Sequence, residues 1–157
     1  MNKNDKKLLL RDLTARIPYG AQLSVEGFED LCTLKGVVGD VVYVRRGDGN
    51  EVSVNIEEKT IKPYLYSLSW LKEFDYSPNA RYFKHLDELI ELLNQCNLGR
   101  VISEKNFNYQ SFGVLWFCNM SPSECVPHQA MDVVIDYLDS HHIDHRGLVS
   151  EGLAIQL

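Results

Sequence analysis

The sequence contains few of the features that mark secreted or membrane proteins. Its four cysteines include no C-x-x-C pair, so they predict buried thiols and no disulfide framework. The apolar run near the N-terminus is only Leu8–Leu10, whereas a secretory signal needs about 7–15 apolar residues and a membrane-spanning helix needs about 20. The sequence therefore predicts a cytoplasmic protein that does not associate with membranes.

The chain also lacks the motifs of common enzymes. It has no G-x-S-x-G, no dinucleotide fingerprint and no cysteine–histidine pair in a supporting context. The run Gly47–Asn50 does not match the phosphate-binding pattern G-x-x-x-x-G-K-[ST], and it lies between two strand patterns. We therefore predict no catalytic residues and no cofactor, and we favour a protein that is not an enzyme.

Basic side chains are scarce in the second half of the chain. Residues 1–65 carry ten basic and ten acidic side chains, whereas residues 66–157 carry six and twelve, so the net charge of −6 lies entirely in the second half. Because phosphate backbones attract basic surfaces, the acidic half argues against nucleic acid as a partner.

The strongest structural pattern is VVYVRRGDGNEVSVNI at residues 41–56. Aliphatic residues alternate on both sides of Gly47–Gly49, as they do in strands with one buried face. The pattern predicts a hairpin whose three-residue loop has Gly49 in the left-handed conformation. The predicted pairs are Val44–Val52 and Val42–Val54 on the buried face, with Arg45–Glu51 and Tyr43–Ser53 on the other.

Further segments complete the first region. Residues 4–17 have the apolar stripe of an amphipathic helix, on which Asp12 is expected to point away from the core. The other predicted strands are Ala21–Glu26, Leu31–Val38 with a bulge at Gly36, and Ile61–Leu65 as an edge strand. The predicted fold class is α+β: an N-terminal helix, a small antiparallel SH3-like barrel or meander, then a helix–strand–helix region.

The second region is predicted to surround one buried strand with two helices. Its elements are a helix from Tyr82 to Cys96, a strand at Ser111–Cys118 and a helix from Pro127 to about His141. Asp132, Asp136 and Asp139 are expected on the outer face of the last helix. The chain is thus divided into residues 1–66 and 67–157, with the second region packed on the first as one compact unit.

The densest polar cluster follows the last helix. Its candidate metal ligands are His141, His142, Asp144 and His145, because imidazole and carboxylate groups bind zinc, iron or nickel. The spacing matches no metal motif, and histidines at a helix C-terminus also interact favourably with the helix dipole. A separate zinc hypothesis combines Cys118, Cys125, His128 and His141, for which buried structural thiols are the alternative.

Arginines and tyrosines supply the candidate binding residues. Arg45 and Arg46 lie near the tip of the hairpin and could form a basic patch, while Tyr43 and Tyr64 could line a groove. Arg146 is a further candidate that could instead pair locally. The alternative for the arginines is a solvated strand face. The alternative for the tyrosines is that they are packed and half-exposed.

Three stretches together resemble a known family: DLTARIPYG at residues 12–20, IKPYL at 61–65 and YLDSHHIDHRGLVSEGLA at 137–154. The chain is similar there to small uncharacterised proteins of Bacteroides-type gut bacteria and of their phages or prophages. Ile143 and His145 stand where those proteins have an aromatic pair. The resemblance implies a genomic setting, and those proteins have no known activity.

Three hypotheses of function follow. The first is a non-enzymatic binding protein of a phage or mobile genetic element that acts on another protein. The second is a metal-dependent enzyme that uses the cluster at residues 141–145. The third is a pocket that sequesters a small nucleotide, which requires a cavity with basic and aromatic lining.

Overall fold

The computed structural model describes residues 1–67, 70, 84–96, 107–110, 114–117 and 128–157. The helices in these residues are α1 (Lys3–Arg16), α2 (Lys84–Gln95) and α3 (His128–Ser140). The strands are β1 (Gln22–Val25), β2 (Cys32–Val38), β3 (Val41–Arg45), β4 (Glu51–Asn55), β5 (Ile61–Leu65), β6 (Phe107–Gln110), β7 (Val114–Phe117) and β8 (Ile155–Gln156). This content confirms the predicted α+β class.

The chain divides into two compact units. The first comprises Met1–Ser67 and Arg146–Leu157, and the second comprises Leu68–His145. The last twelve residues, which the sequence analysis grouped with the second region, therefore belong to the first unit. None of the described helices combines the length and the apolarity needed to cross a bilayer.

The hairpin predicted at residues 41–56 is confirmed. β3 and β4 pair antiparallel in the predicted register, with Val42 opposite Val54, Val44 opposite Val52, Tyr43 opposite Ser53 and Arg45 opposite Glu51. Val42 and Val44 are fully buried, whereas Tyr43 on the other face is 44% exposed. Gly49 has a φ of +88°, in the left-handed region. The register follows from the two-residue period, because a slip by one residue would expose the valines.

Six strands form one mixed sheet in the order β4-β3-β2-β1-β5-β8. The predicted bulge is present as a register shift between Leu34 and Gly36. The prediction that Ile61–Leu65 is an edge strand is wrong, because β8 pairs with it in parallel from Tyr64 onward. Pro63 precedes the first of these pairs, so its missing N–H removes no hydrogen bond from the added ladder. The SH3-like barrel stays a prediction.

Helix α1 packs on this sheet. Asn2 caps its N-terminus, since the side-chain oxygen accepts hydrogen bonds from the N–H groups of Asn4 and Asp5 at 2.9 Å each. Leu9 and Leu13 on the inner face join the strand residues in one apolar cluster. Leu148 and Ala154 belong to the same cluster, so the C-terminal segment is part of the core of the first unit.

In the second unit, α2 packs against α3. Their buried side chains follow the helical period, with Leu89 and Leu93 on one helix and Val134 and Leu138 on the other. β6 and β7 form an antiparallel pair. β7 lies within the predicted strand at Ser111–Cys118, whose remaining residues lie outside the described ranges.

Replacing Gly49 tests the hairpin loop. A Cβ at this position would meet nothing within 4 Å, so Gly49→Ala measures only the strain of a left-handed backbone, about 1–2 kcal/mol. Urea unfolding should show this loss of stability. Gly36→Ala is the control, since its φ is not positive and its Cβ would lie 3.8 Å from the Tyr43 ring. Equal stability of the two variants would contradict the left-handed conformation of Gly49 in the hairpin loop.

Candidate functional site

One buried carboxylate in the first unit binds two arginines. Asp12 and Arg16 are both fully buried. Arg16 donates from Nε to Asp12 Oδ2 at 2.8 Å and from Nη2 to Oδ1 at 3.0 Å, which is the bidentate geometry of a strong ion pair. Arg146 donates from Nη1 to Asp12 Oδ1 at 2.9 Å. The triad of Asp12, Arg16 and Arg146 therefore carries one negative and two positive charges.

The sequence analysis placed Asp12 on the wrong face of α1. It is one helical turn from Arg16, and Arg16 continues the inner stripe that begins at Leu9 and Leu13. The oppositely charged residues at positions i and i+4 were the signal for this pair. That Arg146 completes the triad depends on a contact across 134 positions of sequence, which no local pattern predicts.

The histidine-rich segment terminates α3. His142 has a φ of +56°, and its N–H donates to the carbonyl of Asp139 at 3.2 Å. The N–H of Ile143 donates to the carbonyl of Leu138 at 2.9 Å, and both of these apolar side chains are buried. These features define a Schellman motif, in which the residue after the helix adopts the left-handed conformation.

The candidate metal ligands in this segment contact other groups. His141 Nδ1 lies 2.9 Å from the carbonyl oxygen of Tyr137, as expected of a histidine at a helix C-terminus. His145 Nε2 lies 2.9 Å from Asp139 Oδ1, and Asp144 is 8% exposed. Among the described residues, no three His, Cys, Asp or Glu side chains are grouped so as to hold a metal ion.

Asp139 is buried, so its predicted place on the outer face of α3 is wrong. It is 3% exposed because the chain turns back at His142 and brings His145 over the last turn of the helix. Asp132 and Asp136 are exposed as predicted. In the separate zinc hypothesis, Cys118 and Cys125 lie outside the described residues.

The candidate binding residues on the sheet do not form one site. Arg45 pairs with Glu51 at 2.7 Å on the exposed face of β3, where Tyr43 also lies. Tyr64 is on β5, which is separated from β3 by two strands, or roughly 14 Å at the usual strand spacing. Tyr64 thus lies in a different part of the sheet from Arg45 and Tyr43.

Arg46 packs against an aromatic ring at the end of the hairpin. Its guanidinium carbon lies 5.0 Å from the centroid of Phe28, and Lys59 Nζ lies 4.7 Å from the same centroid. Arg46 also approaches Asp48 at 3.4 Å and Asp30 at 3.9 Å. Its charge is thus balanced by neighbouring groups, and a local structural role accounts for it.

A groove between α2 and α3 in the second unit has a volume of about 670 Å³. Its described lining includes three carboxylates, those of Glu88, Glu91 and Asp136, and contains no lysine or arginine. Leu92 and Val133 contribute apolar surface, and Leu92 is 37% exposed. We call this feature the acidic groove.

Tyr137 forms the buried wall of the acidic groove. It is 5% exposed, its ring stacks on His141 at a centroid distance of 4.2 Å, and its hydroxyl donates to Glu88 Oε2 at 3.0 Å. Burial, followed by the hydrogen bond and the charge of Glu88, raises the pKa of Tyr137 above its usual range. The phenol therefore links the two helices as a neutral donor.

Comparisons of the chain with protein-family models, with curated proteins and with solved structures find no match. The site is therefore interpreted from its own geometry.

Removing the buried carboxylate of the triad should lower the free energy of unfolding far more than removing an exposed carboxylate. Asp12→Asn removes the negative charge that the buried Arg16 and Arg146 bind, so unfolding should become easier by about 3–5 kcal/mol. Glu51→Gln breaks the exposed pair with Arg45 and should cost less than about 1 kcal/mol. Chemical denaturation of both variants measures the difference. Similar losses in the two would refute the proposed role of the triad.

The raised pKa of Tyr137 predicts a pH-dependent contribution to stability. Tyr137→Phe removes the hydrogen bond to Glu88 and should cost about 1–3 kcal/mol at pH 8. The neutral phenol stabilises the fold fully below about pH 10, which is the pKa of a tyrosine in the unfolded chain. This stabilisation is lost as the pH rises further. The stability difference between wild type and variant should therefore narrow as the pH rises towards 11. The prediction would be contradicted if this stability difference stayed constant with pH. It would also be contradicted if the exposed Tyr43→Phe variant showed the same pH dependence.

Proposed function

We propose that the protein is a non-enzymatic interaction protein whose acidic groove binds a basic segment of a partner protein. The composition of the groove carries this proposal. Its described lining combines three carboxylates with exposed apolar surface and contains no lysine or arginine. Such a surface complements a cationic partner and repels an anionic one.

Charge favours a basic partner in two ways. The carboxylates of Glu88, Glu91 and Asp136 line one concave surface, so their potentials add at the position of a bound cation. The whole of residues 66–157 also has twice as many acidic as basic side chains. This excess attracts a basic protein at longer range and accelerates its association at low ionic strength.

The apolar lining favours an amphipathic helix over a disordered basic tail. Leu92 and Val133 line the groove together with the carboxylates. Burying the 37% of Leu92 that is exposed contributes a part of the roughly 1.5–3 kcal/mol of a fully exposed leucine side chain. An amphipathic helix presents leucine-like side chains and lysines at helical spacing, which matches a groove between two helices. The proposed occupant is therefore a basic amphipathic helix of another protein.

The resemblance at residues 12–20, 61–65 and 137–154 supports a phage or mobile-element setting for this interaction. A cytoplasmic location belongs to the same proposal.

A designed peptide tests the groove directly. The probe is a fluorescein-labelled helical peptide of leucine and lysine, with the lysines on one face, and the readout is fluorescence anisotropy with the full chain. Binding should saturate and should weaken as salt rises from about 0.05 to 0.2 M. Glu91→Lys should weaken it at least about tenfold, equivalent to about 1.4 kcal/mol, because it places a cation in the groove.

Glu29→Lys is the matched control. It makes the same change in net charge at an exposed position of the first unit, so it should alter the affinity by less than about threefold. The same peptide with glutamate in place of lysine should not bind. Equal affinities of wild type and Glu91→Lys, or no saturable binding, would overturn the proposal.

A further inference from the structure

Among the described strands, β4 is the last on one side of the six-stranded sheet. Along an antiparallel pair, residues alternate between those that bond to the neighbouring strand and those whose N–H and C=O point away from it. Two bonds that flank β4 show which residues are which. Arg46 N–H donates to the carbonyl of Asn50 at 2.9 Å, and Ile56 N–H donates to the carbonyl of Asp40 at 3.0 Å. The even-numbered residues of β4 therefore bond to β3, and the odd-numbered residues direct their backbone groups outward.

The outward edge of β4 is open only over a short stretch. After the strand, the carbonyl of Asn55 accepts two N–H groups of the following turn at 3.1 Å each. Before the strand, the left-handed Gly49 ends the extended conformation. Glu51 and Ser53 lie between these limits and are exposed. In the part of the chain that the structure describes, the outward backbone groups of these two residues make no hydrogen bond.

The strand lacks common features that keep edge strands from pairing. β4 contains no proline and no lysine, and its register with β3 runs without a bulge. Val52 is half-buried, whereas Val44 opposite it and Val54 on the same face are buried. A further strand at this edge would cover the rest of Val52 and would satisfy the open backbone groups.

We propose that β4 pairs antiparallel with β4 of a second copy of this chain, about a two-fold axis at Val52. In this register Glu51 of each copy lies opposite Ser53 of the other, and the two residues exchange both of their backbone hydrogen bonds. Every open N–H and C=O of these residues is thereby satisfied. Val52 lies opposite its own equivalent at a closely spaced, non-hydrogen-bonded position, where the two half-buried side chains cover each other.

Charge and symmetry favour a second copy over an unrelated strand. Glu51 is paired with Arg45 of its own chain at 2.7 Å, and across the interface it faces the uncharged Ser53. The second copy also presents the same two open residues at the same spacing, between the same two turns. Because both copies use one strand in the same way, the contact closes at two chains. Few residues pair, so the dimer is weak and forms at high protein concentration.

Sedimentation velocity of the full chain, from about 10 μM to about 1 mM, tests this pairing. The mean mass should rise with concentration from one chain towards two. Ser53→Pro removes an outward N–H that no bond within the chain uses, so the protein should stay folded and dimerise at least about tenfold more weakly. Val52→Lys places two like charges opposite each other and should weaken the dimer similarly. Circular dichroism checks the fold of each variant.

Val38→Lys is the matched control, because it makes the same substitution at a valine that is 66% exposed on β2, two strands from the edge. It should change the dimerisation constant by less than about threefold.

Amide hydrogen exchange of the wild type gives a second readout that needs no variant. The N–H groups of Glu51 and Ser53 should exchange more slowly at high than at low concentration, whereas that of Val52, which bonds to β3, should be protected at both. A chain that stays monomeric throughout would overturn the proposal. Dimerisation that survives both edge variants, or that is lost in Val38→Lys, would overturn it as well.

Discussion

The burial of Asp12 between two guanidinium groups is the constraint on which the first unit depends. A carboxylate is costly to remove from water unless its oxygens are paired, and here Arg16 and Arg146 supply the donors. One of these arginines comes from α1 and the other from the C-terminal segment. The contact between Arg146 and Asp12 therefore joins the C-terminal segment to α1.

The two units differ in charge, since the net charge of −6 lies entirely in the second unit. The second carries the acidic groove, whose carboxylates stand on two helices that pack through buried leucines and valines. The first carries the triad, in which one buried carboxylate binds two arginines. The acidic groove is suited to binding, since it offers both charge and a concave shape.

The segment at residues 141–145 shows how a helix end can resemble a metal site in sequence. Histidine tolerates the left-handed conformation better than most residues, and its ring can hydrogen-bond the last carbonyl groups of a helix. His142 and His141 adopt these two roles. A third histidine, His145, binds the buried Asp139. Each imidazole thus serves the termination of α3 or the packing of the chain that follows it.

Local periodicity determined much of the fold. The two-residue alternation predicted the hairpin register, the glycines predicted the loop and the bulge, and the helical stripes located the helices, because these patterns involve neighbours in sequence. Tertiary structure alone decided the partners of Asp12, the inner position of β5 and the burial of Asp139. The first two depend on a segment that returns from far along the chain, and the third depends on the chain reversal at His142, which brings His145 back to Asp139. Arg146 and β8 are brought to α1 and the sheet by the apolar burial of Leu148 and Ala154, a long-range contact that leaves no periodic mark in the sequence.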